Sequence, residues 1–128
     1  MNFQLHPQIY SLLLCRSISE DRQTGGWIVQ PFSEISVQEM PVDLALTVFA
    51  QIMAPPGAYR LDLRLFHAAD PAGTAQALSP RQIHVQEGKN LDFVVHVEAL
   101  VTRLGLHIVE ATLDGQHRAI TPLRVTLR

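Results

Sequence analysis

Apolar and polar residues alternate along most of this chain, and twice the alternation starts in the same way. Gly57-Ala58-Tyr59-Arg60-Leu61-Asp62-Leu63-Arg64-Leu65 and Gly105-Leu106-His107-Ile108-Val109-Glu110-Ala111-Thr112-Leu113 each run glycine, spacer, ring, then alternation. Side chains on a strand point to opposite faces with a period of two, so each run sets a ring and three apolar residues on one face. Both are predicted as strands of an antiparallel sandwich, entered through a glycine turn.

The rest of the chain reads the same way. Apolar residues from Ile9 to Ser17 predict a first strand, and the polar stretch Ser19 to Gly26 a connection closed by two glycines. Trp27 to Phe32 is a second strand, and Pro31, which cannot donate to a ladder, sets it at an edge or ends it there. Ser33 to Val42 reads as irregular and closes with Met40-Pro41. Leu44 to Ile52 is apolar on both parities, which predicts a central strand. Met53-Ala54-Pro55-Pro56-Gly57 breaks the chain before the first glycine-ring strand, and Asp70-Pro71-Ala72-Gly73 turns it again.

Ala75 to Val85 is weakly patterned, with one short strand around Gln82 to Val85. Leu91 to Val97 alternates, Leu100 to Leu104 is a link, and Asp114-Gly115 is a primed hairpin turn if Gln116 begins the return. The last strand spans His117 to Leu127, with Pro122 marking an edge or a bulge. Turn signals at this spacing predict an all-β antiparallel sandwich of seven to eight strands, Ig-like in architecture, with residues 1–128 forming one domain.

Composition narrows the partners. The chain is 47 % hydrophobic and only 17 % charged, below the roughly 25 % of an average soluble domain. That implies a large core or a surface covered by a partner. A net charge of −2 lacks the clustered basic surface that displaces counterions from nucleic acid. Cys15 is the only cysteine, so no internal disulfide forms and a reducing, cytoplasmic setting is expected. The run Ile9 to Cys15 fails as a secretion or lipoprotein signal, having no Lys or Arg ahead of it and Leu14 where a small residue is needed. No apolar stretch is long enough to span a bilayer, so no membrane partner is expected.

The order of these features resembles a bacterial family of small β-sandwich proteins of unknown function. The residues carrying the resemblance are an apolar strand ending in Cys15, a turn with Gly26, the Met40-Pro41 step, Pro56-Gly57-Ala58-Tyr59-Arg60-Leu61, Gly105-x-His107-x-Val109, Leu113-Asp114-Gly115 and Pro122-Leu123-Arg124-Val125. His107 departs from the tyrosine usual at the second ring position. The resemblance implies the sandwich fold and supplies no catalytic residue or ligand.

Six histidines raise the question of a metal. Alternation sends His96 outward and His107 inward, and no H-x-H or H-x-x-x-H spacing occurs, so no metal or other cofactor is expected. His107 reads as a structural ring that packs while one N–H meets a backbone carbonyl, with burial lowering its pKa. Cys15 in its apolar run reads as an inert thiol. No nucleophile signature is present, so no catalytic residue is assigned and the chain is not read as an enzyme. Arg60, Asp62 and Arg64 share an outward face, which fits cross-strand pairing with facing acids better than an anion-docking stripe.

Two apolar connections, 52–56 and 100–104, fit partner contacts through Met53, Pro55, Leu100, Val101 and Leu104; capping of the core ends fits them equally well. With eight alternating strands they fall at opposite ends of the sandwich, and with seven at one end. The expected function is a non-catalytic interaction or structural module, acting through an edge strand or these loops on a protein partner or on itself as a homo-oligomer. The alternative is a small-ligand or carbohydrate-binding sandwich using Trp27, Tyr10 or His96.

Overall fold

The computed structural model describes residues 5–70 and 75–128, so the turn expected at Asp70–Gly73 lies, beyond Asp70, outside the described residues. Nine strands are present among the described residues: β1 (Gln8–Glu20), β2 (Trp27–Pro31), β3 (Glu34–Val37), β4 (Val42–Met53), β5 (Gly57–His67), β6 (Gln76–Val85), β7 (Leu91–Val101), β8 (Gly105–Leu113) and β9 (His117–Leu127). They form a four-stranded sheet, β2-β1-β4-β7, and a five-stranded sheet, β3-β9-β8-β5-β6. The two sheets enclose a core built from the inward parity of each strand: Leu12 and Leu14 of β1, Leu44 to Ile52 of β4, Leu61 to Leu65 of β5, and Val109 to Leu113 of β8. The expected all-β sandwich is therefore present, but with nine strands among the described residues in place of the expected seven to eight.

The glycine-ring strands behave alike. Gly57 and Gly105 both enter their strands at positive φ, +152° and +109°, where a side chain is strained. The Tyr59 hydroxyl donates to the Pro55 carbonyl at 2.6 Å, closing the β4–β5 corner. His107 is buried, and its Nδ1 lies 3.1 Å from the Gly105 carbonyl, so the imidazole stands in for the tyrosine by a shorter route.

Several expectations need correction. The segment 33–42 is not wholly irregular: β3 pairs with β9 from Glu34↔Arg124 to Val37↔Leu127, and this is a parallel ladder. Four residues with two apolar positions give little periodicity to detect. β6 begins at Gln76 rather than near Gln82, and its register with β5 slips between Leu61 and Leu63, around Pro80. β9 is not an edge strand, yet its proline still obeys edge logic. Arg124 donates its N–H to Ser33 of the incoming β3 strand. Pro122, two residues earlier, has the same orientation just before that ladder begins, so its missing N–H costs no bond. Asp114 and Gly115 both take positive φ as a primed turn requires, but the return pairs from His117, not Gln116.

The connection 100–104 is also shorter than expected. Leu100 and Val101 belong to β7, and Met53 belongs to β4, so the loops reduce to residues 54–56 and 102–104. Val101 is 1 % exposed and part of the core, and it cannot be a surface anchor.

Candidate functional site

Three regions bring together side chains with chemistry: the two outer sheet faces and the lower end of the core. The fourth region of interest is made of backbone.

On the outer face of the four-stranded sheet, β1 continues past its ladder with β4, which ends at Cys15↔Thr47, and pairs onward with β2. A register slip between Cys15 and Ser17 bends this hairpin. Trp27 at its tip consequently returns over the sheet, its ring centroid 5.7 Å from that of Phe49 on β4. The indole N–H donates to Asp92 Oδ2 on β7 at 3.0 Å, and Gln51 donates to Asp92 Oδ1 at 3.2 Å. Tyr10 lies close by: burial raises its pKa, the Asp92 charge adds to the rise, and a bond to Asn90 opposes it. Trp27 and Tyr10 are thus gathered around one carboxylate. His96 is not part of that group; it sits farther along β7 with Nδ1 2.9 Å from Thr47 Oγ1. Cys15 lies buried on the same side, and desolvation raises its pKa, as suits an unreactive thiol.

The outer face of the five-stranded sheet carries a buried acid. Glu110 is 4 % exposed and receives Arg64 Nε on Oε1 at 2.6 Å and Arg118 Nε on Oε2. Strand register produces the group, since Arg64 faces Glu110 across β5–β8 and Arg118 approaches from β9. Burial pushes the carboxyl pKa up, but the bonds and charges of Arg64 and Arg118 outweigh it and hold the value below the usual range. Arg60 pairs with Asp62 on its own strand at 2.9 Å. The arginine stripe is therefore ion-paired, but only Arg64 makes the expected cross-strand pair; Arg60 turns to Asp62 of its own strand. Glu110 itself was not singled out in the sequence; the available signal was a lone charge on the outward parity of β8, next to Ile108 and Leu106.

At the lower end of the core His67 and His107 face each other, ring centroids 4.9 Å apart at 76°. His67 Nδ1 accepts the Ala69 N–H at 3.1 Å, so Nε2 carries the hydrogen and donates to the Leu104 carbonyl at 2.9 Å. The β7–β8 connection is held by this bond. Among the described residues no three His, Cys, Asp or Glu side chains come together as a metal would require.

The apolar connections do not cooperate. Ile52 pairs with Leu91 and Val42 with Val101, so the loop after β4 and the loop after β7 lie at opposite ends of the sandwich. Of the expected anchors, Leu100 and Leu104 are well exposed, while Met53 and Pro55 are half-buried.

The four sheet edges differ sharply. β2 has five residues and ends in Pro31, β3 has four residues, and β6 is interrupted at Pro80. β7 pairs with β4 through eleven residues in unbroken register and contains no proline. Among the described residues no strand pairs with its other side, where Leu100 donates its N–H to the Gln76 side chain at 3.1 Å. N–H and C=O of alternate residues point the same way, so Asp92, Val94, His96 and Glu98 also direct theirs away from β4. A groove of about 410 Å³, lined by Arg81 and Gln82 of β6 and by Phe93 to His96 of β7, runs along this edge.

No protein-family description and no curated protein matches the chain. Solved structures with a similar fold include a β-glucosidase from Erythrobacter marinus, at TM-score 0.52 and 13 % identity over 74 % of this chain and 14 % of that one. A β-glucosidase from Listeria innocua is similar alone (TM-score 0.51, 13 % identity) and with glucose (0.52, 12 %), over 91 % of this chain and 16 % of that one. The chain spans about one sixth of those enzymes or less, and at such identity the likeness is one of fold. No helix among the described residues is long and apolar enough to cross a membrane.

Proposed function

We propose that this protein is a non-catalytic interaction module of Ig-like architecture that docks through its lateral edge at β7. The observation that supports this reading is the contrast between edges. An exposed strand edge is a template for pairing, and proteins blunt it with proline, bulges or short length. β2, β3 and β6 are each shortened, bulged or closed by proline, whereas β7 is long, regular and free of proline, and only the charges of Asp92 and Glu98 guard it. A strand added there would satisfy main-chain groups at Val94, His96 and Glu98 and place its side chains against the β7 faces. The apolar loops become secondary: Leu100 belongs to this edge, and Leu104 lies beyond its lower end.

Val94→Pro tests the reading, because it deletes an outward N–H without touching the β4 ladder. Mass in solution and co-purification are compared for both chains. The wild-type chain is expected to associate, with itself or with a partner, and the variant to lose that association. A monodisperse monomer that retains nothing from native lysate refutes it.

A small-ligand site at Trp27 and Tyr10 is the second reading, favoured by their convergence on Asp92. Trp27 has already spent its indole N–H and packs on Phe49, which suits a hairpin anchor better than a stacking platform. Glucose and short glucans added to the protein are expected to leave Trp27 fluorescence unchanged; a saturable shift would revive this reading.

A further inference from the structure

We infer that the occupant of the β7 edge is a second copy of this chain, its β7 paired antiparallel about a two-fold axis at Val97. This rests on the edge-docking reading above and adds the partner and the register. A two-fold axis normal to the sheet pairs an edge strand with itself antiparallel, so the side chains of β7 must be complementary to their own reverse.

The outward parity of β7 reads Asp92, Val94, His96, Glu98, Leu100. Three registers keep the overlap almost full length. An axis at Val95 sets Asp92 opposite Glu98 of the second copy, a like-charge pair that opposes association. One at His96 sets Val94 opposite Glu98 and Asp92 opposite Leu100, an apolar group against a charge each time. With the axis at Val97, His96 lies opposite Glu98 and Val94 opposite Leu100, and symmetry makes each pair twice. Only this register sets a polar ring against each Glu98 carboxylate and an apolar side chain against each apolar one.

The local geometry agrees. His96 has Nδ1 on Thr47, which leaves Nε2 to face the second copy's carboxylate. Leu100 is 49 % exposed in the single chain and becomes covered by Val94 of the other. The pairs His96–Glu98 and Val94–Leu100 have even parity, so their main-chain groups are the ones that point outward. Leu100 exchanges its bond to Gln76 for the carbonyl of Val94. The groove beside Arg81 and Gln82 gives the incoming strand access. The result is one continuous sheet across two sandwiches.

The test combines solution mass with directed cross-linking. Sedimentation over a wide concentration range should show reversible dimers for the wild-type chain. Glu98→Lys should weaken dimerisation by roughly tenfold or more, since both facing pairs lose the carboxylate that meets the imidazole. Adding His96→Glu to that variant should restore it. A mixture of His96→Cys and Glu98→Cys chains under oxidised glutathione should cross-link to each other and not to themselves, because facing residues alone come within disulfide reach. Cys15 is buried and takes no part. Wild-type chains that stay monomeric at the highest concentration overturn this inference. If such monomers retain another protein in a Val94-dependent way, the edge reading survives; if they retain nothing, both fail. Cross-linking within the His96→Cys chains alone overturns the register.

Discussion

Glu110 gives the sharpest test of how this fold is held. Replacing it with Gln keeps the shape and removes the charge. At 4 % exposure the carboxylate has little water to fall back on, and its oxygens are held by Arg64 and Arg118. The amide can accept from only one arginine and presents an N–H₂ group to the other. One charge-assisted bond is lost and the second keeps only the arginine's charge, each bond to a charged group being worth about 1.5–3 kcal/mol. The arginine side chains are 46 % and 56 % exposed and can rehydrate, so the low end applies, a net loss of about 2 kcal/mol. For 128 residues the unfolding entropy is about 0.27 kcal/mol/K, which converts the loss to a Tm drop of about 7 °C at neutral pH.

The sign of the pH dependence follows from the lowered carboxyl pKa. The folded chain holds this proton less tightly than the unfolded one, whose value is about 4.3. The stabilisation is complete above that pH and fades as pH falls through the folded value. Thermal melts followed by circular dichroism should therefore show wild type and variant converging in acid. A variant that melts within about 1 °C of wild type at pH 7, or a gap that persists unchanged to pH 3, would refute the buried-acid account. Arg64→Ala and Arg118→Ala should be non-additive, because the second loss leaves the carboxylate bare.

Three further outcomes are expected. Tyr59→Phe removes the 2.6 Å bond to Pro55 and should cost about 1–1.5 kcal/mol in denaturant melts, while Tyr10→Phe costs less because Tyr10 is largely exposed. Gly105→Ala forces a Cβ to within 3.1 Å of His67 Nε2 at φ +109°, and should lose about 1–3 kcal/mol. Burial lowers the pKa of His107, His67 and Arg103 lower it further, and the Gly105 carbonyl opposes them. Its contribution to stability is thus full above about pH 6.5 and declines as pH falls below that; a ring titration by NMR at or above 6.5 would contradict this.

What the sequence disclosed is whatever depends on neighbours along the chain. Period-two alternation located β5, β7 and β8, apolar runs located β1 and β4, and the glycine-ring starts located two corners whose hydrogen bonds the fold then makes. Features created by pairing across long separations were hidden. β3 exists because β9, some ninety residues later, offers it an edge, and Glu-Ile-Ser-Val alone is too short to announce a strand. Glu110 is buried only because Arg64 and Arg118 arrive from flanking strands. Length misled at β7: Leu100 and Val101 read as a loop, though β4 extends far enough to pair with both.

The low charge fraction can now be divided between two causes. Part of it serves the protein internally: the β1–β2 hairpin folds Trp27 over Phe49, which is 3 % exposed although it lies on an outward parity. An outer sheet face covered by its own chain needs no charged residues, so composition there says nothing of a partner. Leu100 is different. It is 49 % exposed on the one edge among the described residues without a proline, bulge or shortening. Were β7 merely an unused edge, selection against aggregation would favour a lysine or proline along it. The strand carries aspartate, valine, histidine, glutamate and leucine instead, and the last four stand in an order complementary to their own reverse. That order is the one the proposed self-pairing uses, and the Glu98→Lys and His96→Glu exchange tests whether it matters.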